Sequence, residues 1–338
     1  MNSHRSDPSP SLMQALNDMM YASWRGLALA AALELDFFGH IADGKHGAEQ
    51  IAAAASASEH GVRRLLDALC GMGYLKKTGR EYRLRPIAAE HLVRGKPLYM
   101  GEAAGIGKMM LGPWSRLAEA VQTGRQLNTG ISLAEREAFF SKLVPAIFPA
   151  SFVAASAAVK KIPARQLKTM RRILDIGAGA AAWSIPFAKA LRQARVTVVD
   201  YPAVTQVTRE YAEKFGVASR YDYKQGDFHE IDFGSGFDLA LLGHIVHGAG
   251  AALGRKLLRK TCEALRKGGM LLIGDFVPNN DRNGPALPLL FGLNMLLATP
   301  SGDVFTMAEY RAWLKEAGFS KAATLAVPHV SPLILATK

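Results

Sequence analysis

Between Arg172 and Asp200 the chain reads RILDIGAGAAAWSIPFAKALRQARVTVVD, and this stretch holds residues whose types and spacing could do chemistry. Gly177 and Gly179 lack a Cβ, so the backbone there can come close to a ligand. Asp200 closes a second apolar run, where a crossover connection returns it beside the glycines and lets its carboxylate accept both hydroxyls of a ribose. The arrangement implies a nucleoside cofactor. Gly-Ala-Gly-Ala-Ala-Ala also fits a loose dinucleotide fingerprint, GxGxxG with Ala in the last place. Asp175 argues against it, because it puts an acid inside the first strand where dinucleotide enzymes carry another apolar residue. Farther along, His244 and His247 stand three residues apart. Without a third nearby ligand this spacing does not make a metal centre, and no metal is expected.

The elements that must hold these residues follow from periodicity. Ile173, Leu174 and Ile176 form a short apolar run, Trp183 to Gln193 carries apolar residues at helical spacing, and Val196 to Val199 is a second strand. Downstream, the pattern predicts a helix from Ala203 to Phe215, strands at Tyr221 to Gln225 and Phe237 to Leu242, a helix from Ala252 to Lys267 and a strand from Met270 to Phe276. Ala322 to Val327 and Leu333 to Thr337 are two further strands joined by a Pro-containing turn. Such alternation calls for a parallel doubly wound sheet, so the expected fold class is α/β.

Upstream, apolar residues recur at helical spacing from Ser11 to Leu35, with Met13, Leu16, Met20, Trp24, Leu27 and Ala31 near one stripe. Ala48 to Ala55 reads as a short helix, Ser58 caps another from Glu59 to Met72, and Tyr74 to Arg85 reads as a hairpin turning at Thr78-Gly79. This is a winged-helix order, in which the Arg63-Arg64 helix of a transcription factor would enter a major groove. Pro113 to Gln126 reads as a helix with Pro in its first turn. Leu133 to Val159 reads as an apolar helix bent at Pro145 and Pro149, and Lys161 to Thr169 as a linker. The expected division is a mainly helical, winged-helix-like domain over 1–100, connecting helices over 101–169 and a nucleoside-binding domain over 170–338.

At 338 residues and 49% hydrophobic content the chain can bury two cores. Its net charge of +12 is spread in pairs such as Arg63-Arg64, Lys76-Lys77, Lys160-Lys161 and Arg171-Arg172, with no long basic tract, so nucleic acid is not an expected partner. No uninterrupted apolar run reaches membrane-spanning length, and MNSHRSDPSPS at the start has no signal-peptide character. Cys70 and Cys262 cannot form a disulfide framework. These features point to the cytoplasm and to no membrane partner.

Leu-Asp-Ile-Gly-Ala-Gly, residues 174 to 179, resembles the first motif of class I S-adenosylmethionine-dependent methyltransferases. Tyr201-Pro202-Ala203-Val204, Gly226-Asp227-Phe228 and His247 then follow in the order found in caffeate-type, hydroxyindole and bacterial natural-product O-methyltransferases. Gly292 to Phe319 is similar as well. The phrases Ala32 to Phe38 and Leu65 to Leu75 resemble that family's amino-terminal dimerisation domain, which has a winged-helix form and does not read DNA. The resemblance implies a Rossmann-like methyltransferase sheet, S-adenosylmethionine as cofactor and a homodimer formed through the amino-terminal domain. It also implies a small-molecule acceptor, with transfer to an aromatic or polyketide-like hydroxyl in secondary metabolism. By position in the family it assigns cofactor contacts to Asp175, Gly177, Gly179, Asp200, Tyr201, Asp227, Phe228 and Gly243. Among these, Asp200 binds the ribose, Asp227 the adenine amino group and Phe228 the adenine face. Acceptor contacts fall on Phe148, His244, Asn294 and Met295. His247 takes the place of the proton acceptor, with Asp275 and Asp303 at or beside the positions of its two orienting acids.

The chain departs from the family pattern at two places. Gly248-Ala249 stands where relatives carry Asp-Trp after the histidine, and the second orienting acid falls near Val304, one residue from Asp303. An N-, S- or C-methyl acceptor, or a relative turned to a non-methylating reaction, therefore stays open beside O-methylation. So do two other classes, a winged-helix regulator that senses a nucleoside and an NAD(P)-dependent oxidoreductase.

Overall fold

Alternating helical and strand periods sort the chain into two units, one up to Met109 and one from Met110 to Lys338, as seen in a computed structural model. The structure describes residues 11–127, 130 and 132–338, so the signal-peptide reading of the first ten residues lies outside the described residues.

The first unit opens with α1 (Leu12–Glu34), whose first turn is capped by the Ser11 hydroxyl accepting from the Gln14 N–H. Only Ala30, Ala32 and Leu33 of α1 are buried, while Leu12, Met19 and Trp24 are 79%, 84% and 61% exposed. Then come α2 (Phe37–Ala42), α3 (Ala48–Ala54) and α4 (Glu59–Gly71), the last capped by Ser58 as its sequence position requires. The strands β1 (Leu75–Thr78) and β2 (Glu81–Leu84) pair antiparallel, with Leu75 opposite Leu84, and α5 (Pro86–His91) follows. Phe37, Phe38, Ile51, Leu66, Leu69 and Tyr82 fill the core between them. Lys77 and Tyr82 both donate to Asp67 Oδ1, at 2.7 and 2.8 Å, so a basic residue of the hairpin is held against α4.

The division between the units falls inside α6 (Glu102–Ser115). Here Pro113 ends one helix instead of beginning another: it lacks the N–H that the next turn needs, and after Arg116 a separate short helix, α7 (Leu117–Thr123), starts. In the second unit α8 (Leu133–Lys161) starts at a reciprocal cap between Ser132 and Glu135 and stays one helix through Pro145 and Pro149. By length and composition alone α8 could cross a bilayer, yet Ala154, Ala155 and Ala158 are buried in the fold, where the helix packs on two later helices. The segment read as a linker contains a short helix, α9 (Ala164–Leu167).

The sheet then builds up as β3 (Arg172–Ile176), α10 (Ser184–Ala190), β4 (Arg195–Asp200), α11 (Pro202–Lys214), β5 (Tyr221–Gln225), β6 (Phe237–Gly243), α12 (Val246–Ala264) and β7 (Leu265–Gly274). It closes with α13 (Ala286–Ala298), α14 (Met307–Glu316), β8 (Lys321–Leu325) and β9 (Leu333–Thr337). The two helices on which α8 packs are α10 and α11. The strand order is β5-β4-β3-β6-β7-β9-β8, parallel except for β9, which runs antiparallel to both neighbours. Helix α12 begins at Val246, six residues before the predicted start, because its first turn is separated by a kink at Gly250 (φ 73°, ψ 173°) that breaks the helical period. In register, Ile176 lies opposite Val199 and Leu242, and Gly243 opposite Gly274, so the parallel strands end at one level. Loops at those carboxyl ends are where a doubly wound sheet binds ligands.

The opposite end of the central strands is anchored by Asp238. Its carboxylate accepts the N–H groups of Arg171 and Arg172 at 2.7 and 2.9 Å and also pairs with Arg266. Burial works against its charge, but these partners together hold its carboxyl below the usual carboxylate range. Replacing Asp238 with Ala is expected to lower unfolding stability by about 1–3 kcal/mol, the cost of leaving buried amides without an acceptor. Denaturant titration checks this: a carboxyl with a depressed pKa stabilises the fold above its unfolded value near 3.9, so the difference between the two proteins should shrink as pH falls through the acid range.

Candidate active site

The glycine turn after β3 is shaped by close approach. Gly177 and Gly179 have φ of 62° and 57°, and a Cβ on them would lie 2.3 Å from Ile245 Cδ1 and 2.9 Å from Val144 Cγ1. Asp200 braces the turn, its Oδ2 accepting the Gly179 N–H at 2.9 Å and its Oδ1 the Tyr201 N–H at 2.8 Å. Burial pushes the Asp200 carboxyl up to about 6; the two amides act in the opposite direction, and the charge of Glu137 adds to the rise. Glu137, on α8, also accepts from the Ala203 N–H at the start of α11.

Asp175, one residue before the end of β3, is 1% exposed, and neither of its oxygens has a hydrogen-bond partner among the described residues. Burial pushes its carboxyl up to about 7, with Ser184 opposing and the Asp200 charge contributing. Ser184 also accepts a hydrogen bond from the Tyr221 hydroxyl at 3.1 Å, which leaves its own O–H to face Asp175. Asp227 turns the chain after β5 by accepting the His229 N–H, and Phe228 comes within 3.7 Å of a Cβ placed on Gly177. Tyr201 is the N-cap residue of α11. The structure thus brings Asp175, Gly177, Gly179, Asp200, Tyr201 and Phe228 to one end of the sheet, with Asp227 beside Phe228.

Next to this basin, the first turn of α12 faces the end of β7. His247 Nδ1 lies 2.5 Å from Asp275 Oδ1, and the His247 backbone N–H donates to Oδ2 at 3.3 Å. The Tyr310 hydroxyl donates to Oδ2 at 2.7 Å and the Phe276 N–H to Oδ1 at 2.8 Å. Burial would raise the Asp275 carboxyl, but His247, by charge and hydrogen bond, with His244 and Tyr310, holds it below the usual carboxylate range. A carboxylate so placed fixes the proton on His247 Nδ1 and leaves Nε2 with a lone pair. The imidazole stands edge-on to Phe291 at 4.8 Å, and Phe291 stacks on Phe276 with 3.6 Å between centroids. The result is an imidazole nitrogen beside flat apolar surface.

Asp303 does not join this arrangement. Its backbone N–H is committed to the His247 carbonyl, so its side chain turns outward, accepts from the Val304 N–H and faces Arg282 at 4.0 Å. Tyr310 occupies the free side of Asp275 instead. Phe148 is also displaced from its expected role. It is 1% exposed and packs with Phe152, Tyr211 and Phe215, because the face of α8 that carries it meets α11. Asn294 accepts the Trp114 indole N–H at 3.2 Å, which leaves its amide N–H groups to donate, and Met295 is buried. The space above Gly243 is filled by Trp183, whose Nε1 lies 2.0 Å from where a Cβ would stand.

His244 is half-buried, its Nδ1 atom is buried without a partner among the described residues, and desolvation pushes its imidazole down to about 3. A third potential metal ligand does exist, since ligand atoms of His244, His247 and Asp275 lie within 4.8 Å of one another. Yet donors on one tetrahedral zinc stand about 3.3 Å apart. The 2.5 Å contact of His247 with Asp275 is a hydrogen bond, not two edges of a ligand shell.

Tyr310, Phe276, Phe291, Trp183 and His329 are residues around the site that sequence reasoning missed. Only Tyr310 had a local signal, the capping box from Thr306 to Glu309 that starts its helix.

Comparison with known proteins agrees with this geometry. Residues 114–320 match the O-methyltransferase domain and residues 17–94 the O-methyltransferase dimerisation domain. The 3-hydroxy-5-methyl-1-naphthoate 3-O-methyltransferase of Streptomyces sahachiroi is 31% identical over 92% of this chain and 90% of its own length. The tetracenomycin polyketide synthesis 8-O-methyl transferase TcmO of Streptomyces glaucescens is 30% identical over 92% of each chain. Among solved structures, PigF with SAH superposes with a TM-score of 0.82 at 26% identity, covering 97% of this chain and 100% of that one. The doubly wound sheet with its antiparallel β9, the glycine turn and the matched domains together place this chain in the S-adenosylmethionine-dependent O-methyltransferase family.

Proposed function

We propose that this enzyme methylates a hydroxyl group on an aromatic or polyketide-like small molecule, with His247 as the proton acceptor. The observation that carries the reading is the buried His247–Asp275–Tyr310 chain of hydrogen bonds beside the Phe276–Phe291 stack. The named relatives act on a hydroxynaphthoate and in tetracenomycin polyketide synthesis, which supports a flat, hydroxylated acceptor.

S-adenosylmethionine supplies an electrophilic methyl group on a sulfonium. The residues present fit this cofactor: an unpartnered buried carboxylate at Asp175 suits an ammonium group, and the turn at Gly177 and Gly179 has no room for a Cβ. Asp175 would hold the amino-acid end, Asp200 the ribose, and Asp227, Phe228 and Tyr201 the adenine end. The acids here also favour a cation over its neutral product. Asn294 and His244 orient the acceptor, and Phe276 and Phe291 hold its plane. As the acceptor oxygen attacks, His247 Nε2 takes its proton, and Asp275 stabilises the imidazolium that forms. No acid is needed on the leaving side, because the thioether departs neutral. Gly248-Ala249 after the histidine does not remove this chemistry, since the orienting contact comes from Asp275. The enzyme is further proposed to work as a cytoplasmic homodimer through its amino-terminal unit, where α1 exposes Met13, Met19, Met20 and Trp24.

Three outcomes are expected. With a phenolic acceptor, His247→Ala should lower kcat by about 10²- to 10⁴-fold at neutral pH. Part of the loss should return as pH approaches the phenol pKa of about 10, where solvent supplies the phenolate; an equal loss at every pH would assign His247 to shaping the pocket only. Calorimetry should show S-adenosylhomocysteine, and not NAD, binding more tightly as pH rises from about 6 to about 8. The sign follows from Asp175: below about 7 its carboxyl carries a proton that the bound ammonium must displace, so binding releases a proton there and the gain levels off above. Asp175→Asn should flatten that slope. Finally, Met19→Glu with Trp24→Glu should turn the dimer into a monomer in sedimentation experiments, and a persisting dimer would place the interface elsewhere.

A further inference from the structure

The loop between β8 and β9 brings a second imidazole to the site. His329 Nε2 lies 3.3 Å from His244 Nε2, and the two rings lie 5.1 Å apart, each at 5.8 Å from the Trp183 ring. The loop is pinned by Ser331, whose hydroxyl accepts the Val277 N–H at 2.9 Å and donates to the Val277 carbonyl at 3.2 Å.

These contacts determine where the protons sit. His329 Nδ1 is 2.9 Å from the Ser331 carbonyl oxygen, which can only accept, so Nδ1 carries the hydrogen. The opposite assignment would have Nδ1 accept from the Ser331 N–H at 3.4 Å while setting its lone pair against that oxygen. Burial depresses the basicity of His329, so the ring is neutral and its Nε2 is bare. A contact between two ring nitrogens needs one hydrogen, and His244 must provide it from Nε2. His244 is itself neutral, and its Nδ1 is therefore a lone pair, buried and without a donor among the described residues. One ring nitrogen of His244 is within 4.8 Å of a ligand atom of each of His247 and Asp275, so the His244 ring borders the place where His247 would meet the acceptor.

We propose that His329 is a positioning residue: it fixes His244 as the Nε2–H tautomer, and the Nδ1 lone pair that results accepts a hydrogen bond from a second O–H or N–H of the methyl acceptor. The substrate class is thereby narrowed to aromatics that carry a hydrogen-bond donor next to the methylated hydroxyl. This narrowing rests on the proposed O-methyl transfer; the tautomer does not.

The two parts are tested separately. Nitrogen NMR of the full-length protein with ¹⁵N-labelled histidine, assigned with His244→Phe, should show His244 protonated on Nε2 and bare on Nδ1 at neutral pH. A hydrogen on His244 Nδ1 overturns the proposal. Kinetics should then compare two acceptors that differ only in having a hydroxyl or a hydrogen adjacent to the reacting hydroxyl. The wild-type enzyme should favour the dihydroxy compound in kcat/KM by about tenfold, the worth of one net hydrogen bond. His329→Phe should bring that ratio near one without shifting the pH profile of kcat. His329→Gln, whose side-chain oxygen can accept the same His244 N–H, should restore the ratio. A ratio unchanged in His329→Phe, or lost equally in His329→Gln, refutes the positioning role. If the wild type methylates neither compound, the functional reading fails while the NMR result still decides the tautomer.

Discussion

A carboxylate taken out of water is tolerable only where donors replace the water, and at Asp275 four hydrogen bonds do so: one from His247 Nδ1, one from the His247 backbone, one from the Tyr310 hydroxyl and one from the Phe276 N–H. They come from the start of α12, from α14 and from the end of β7. Satisfying this one anion therefore fixes how two helices meet the sheet. It also orients the imidazole, since the oxygen that needs the Nδ1–H leaves Nε2 on the opposite edge of the ring. Tyr310 is the economical answer to a missing second acid: a neutral donor completes Asp275 without setting another negative charge beside it, which would cost free energy in a dry site.

The acids of the cofactor basin obey the opposite logic. Asp200 spends two lone pairs on the turn it braces, whereas Asp175 has no close hydrogen bond among the described residues and only Ser184 nearby to favour its charge. Both carboxyls are raised, chiefly by burial. Such a site is unfavourable for an anion, and a positive charge placed beside these carboxyls would offset that burial. One end of a single sheet thus holds one carboxylate with its donors complete and another with them lacking. The amino-terminal unit applies the same idea to apolar surface, closing its own core around Phe37, Phe38 and Leu66 while leaving most of α1 uncovered.

Much of this was legible in order along the chain. The strand, glycine turn, helix and second strand around Gly177 are local features, and their apolar periods give their limits to within a few residues, as they do for α4, the β1–β2 hairpin and β9. Periodicity failed where the backbone itself breaks period. The kink at Gly250 hid the first turn of α12, and Pro113, which looked like a helix start, sits at a helix end.

Sequence by itself determined the fold class and the positions of Asp200 and His247, which rest on residue types at short, fixed spacing, and through the resemblance of its ordered motifs it pointed to the family and its cofactor. Tertiary structure decided which side chains meet across the sheet. Asp303 was adjacent to the expected acid position but points away, since its backbone serves the His247 carbonyl. Phe148 belongs to the α8–α11 core, and the partners of Asp275 and His244 are Tyr310 and His329, 35 and 85 residues distant along the chain. No local pattern encodes such pairs. They exist because a parallel sheet ends all its strands at one level and brings loops from distant segments into hydrogen-bond range.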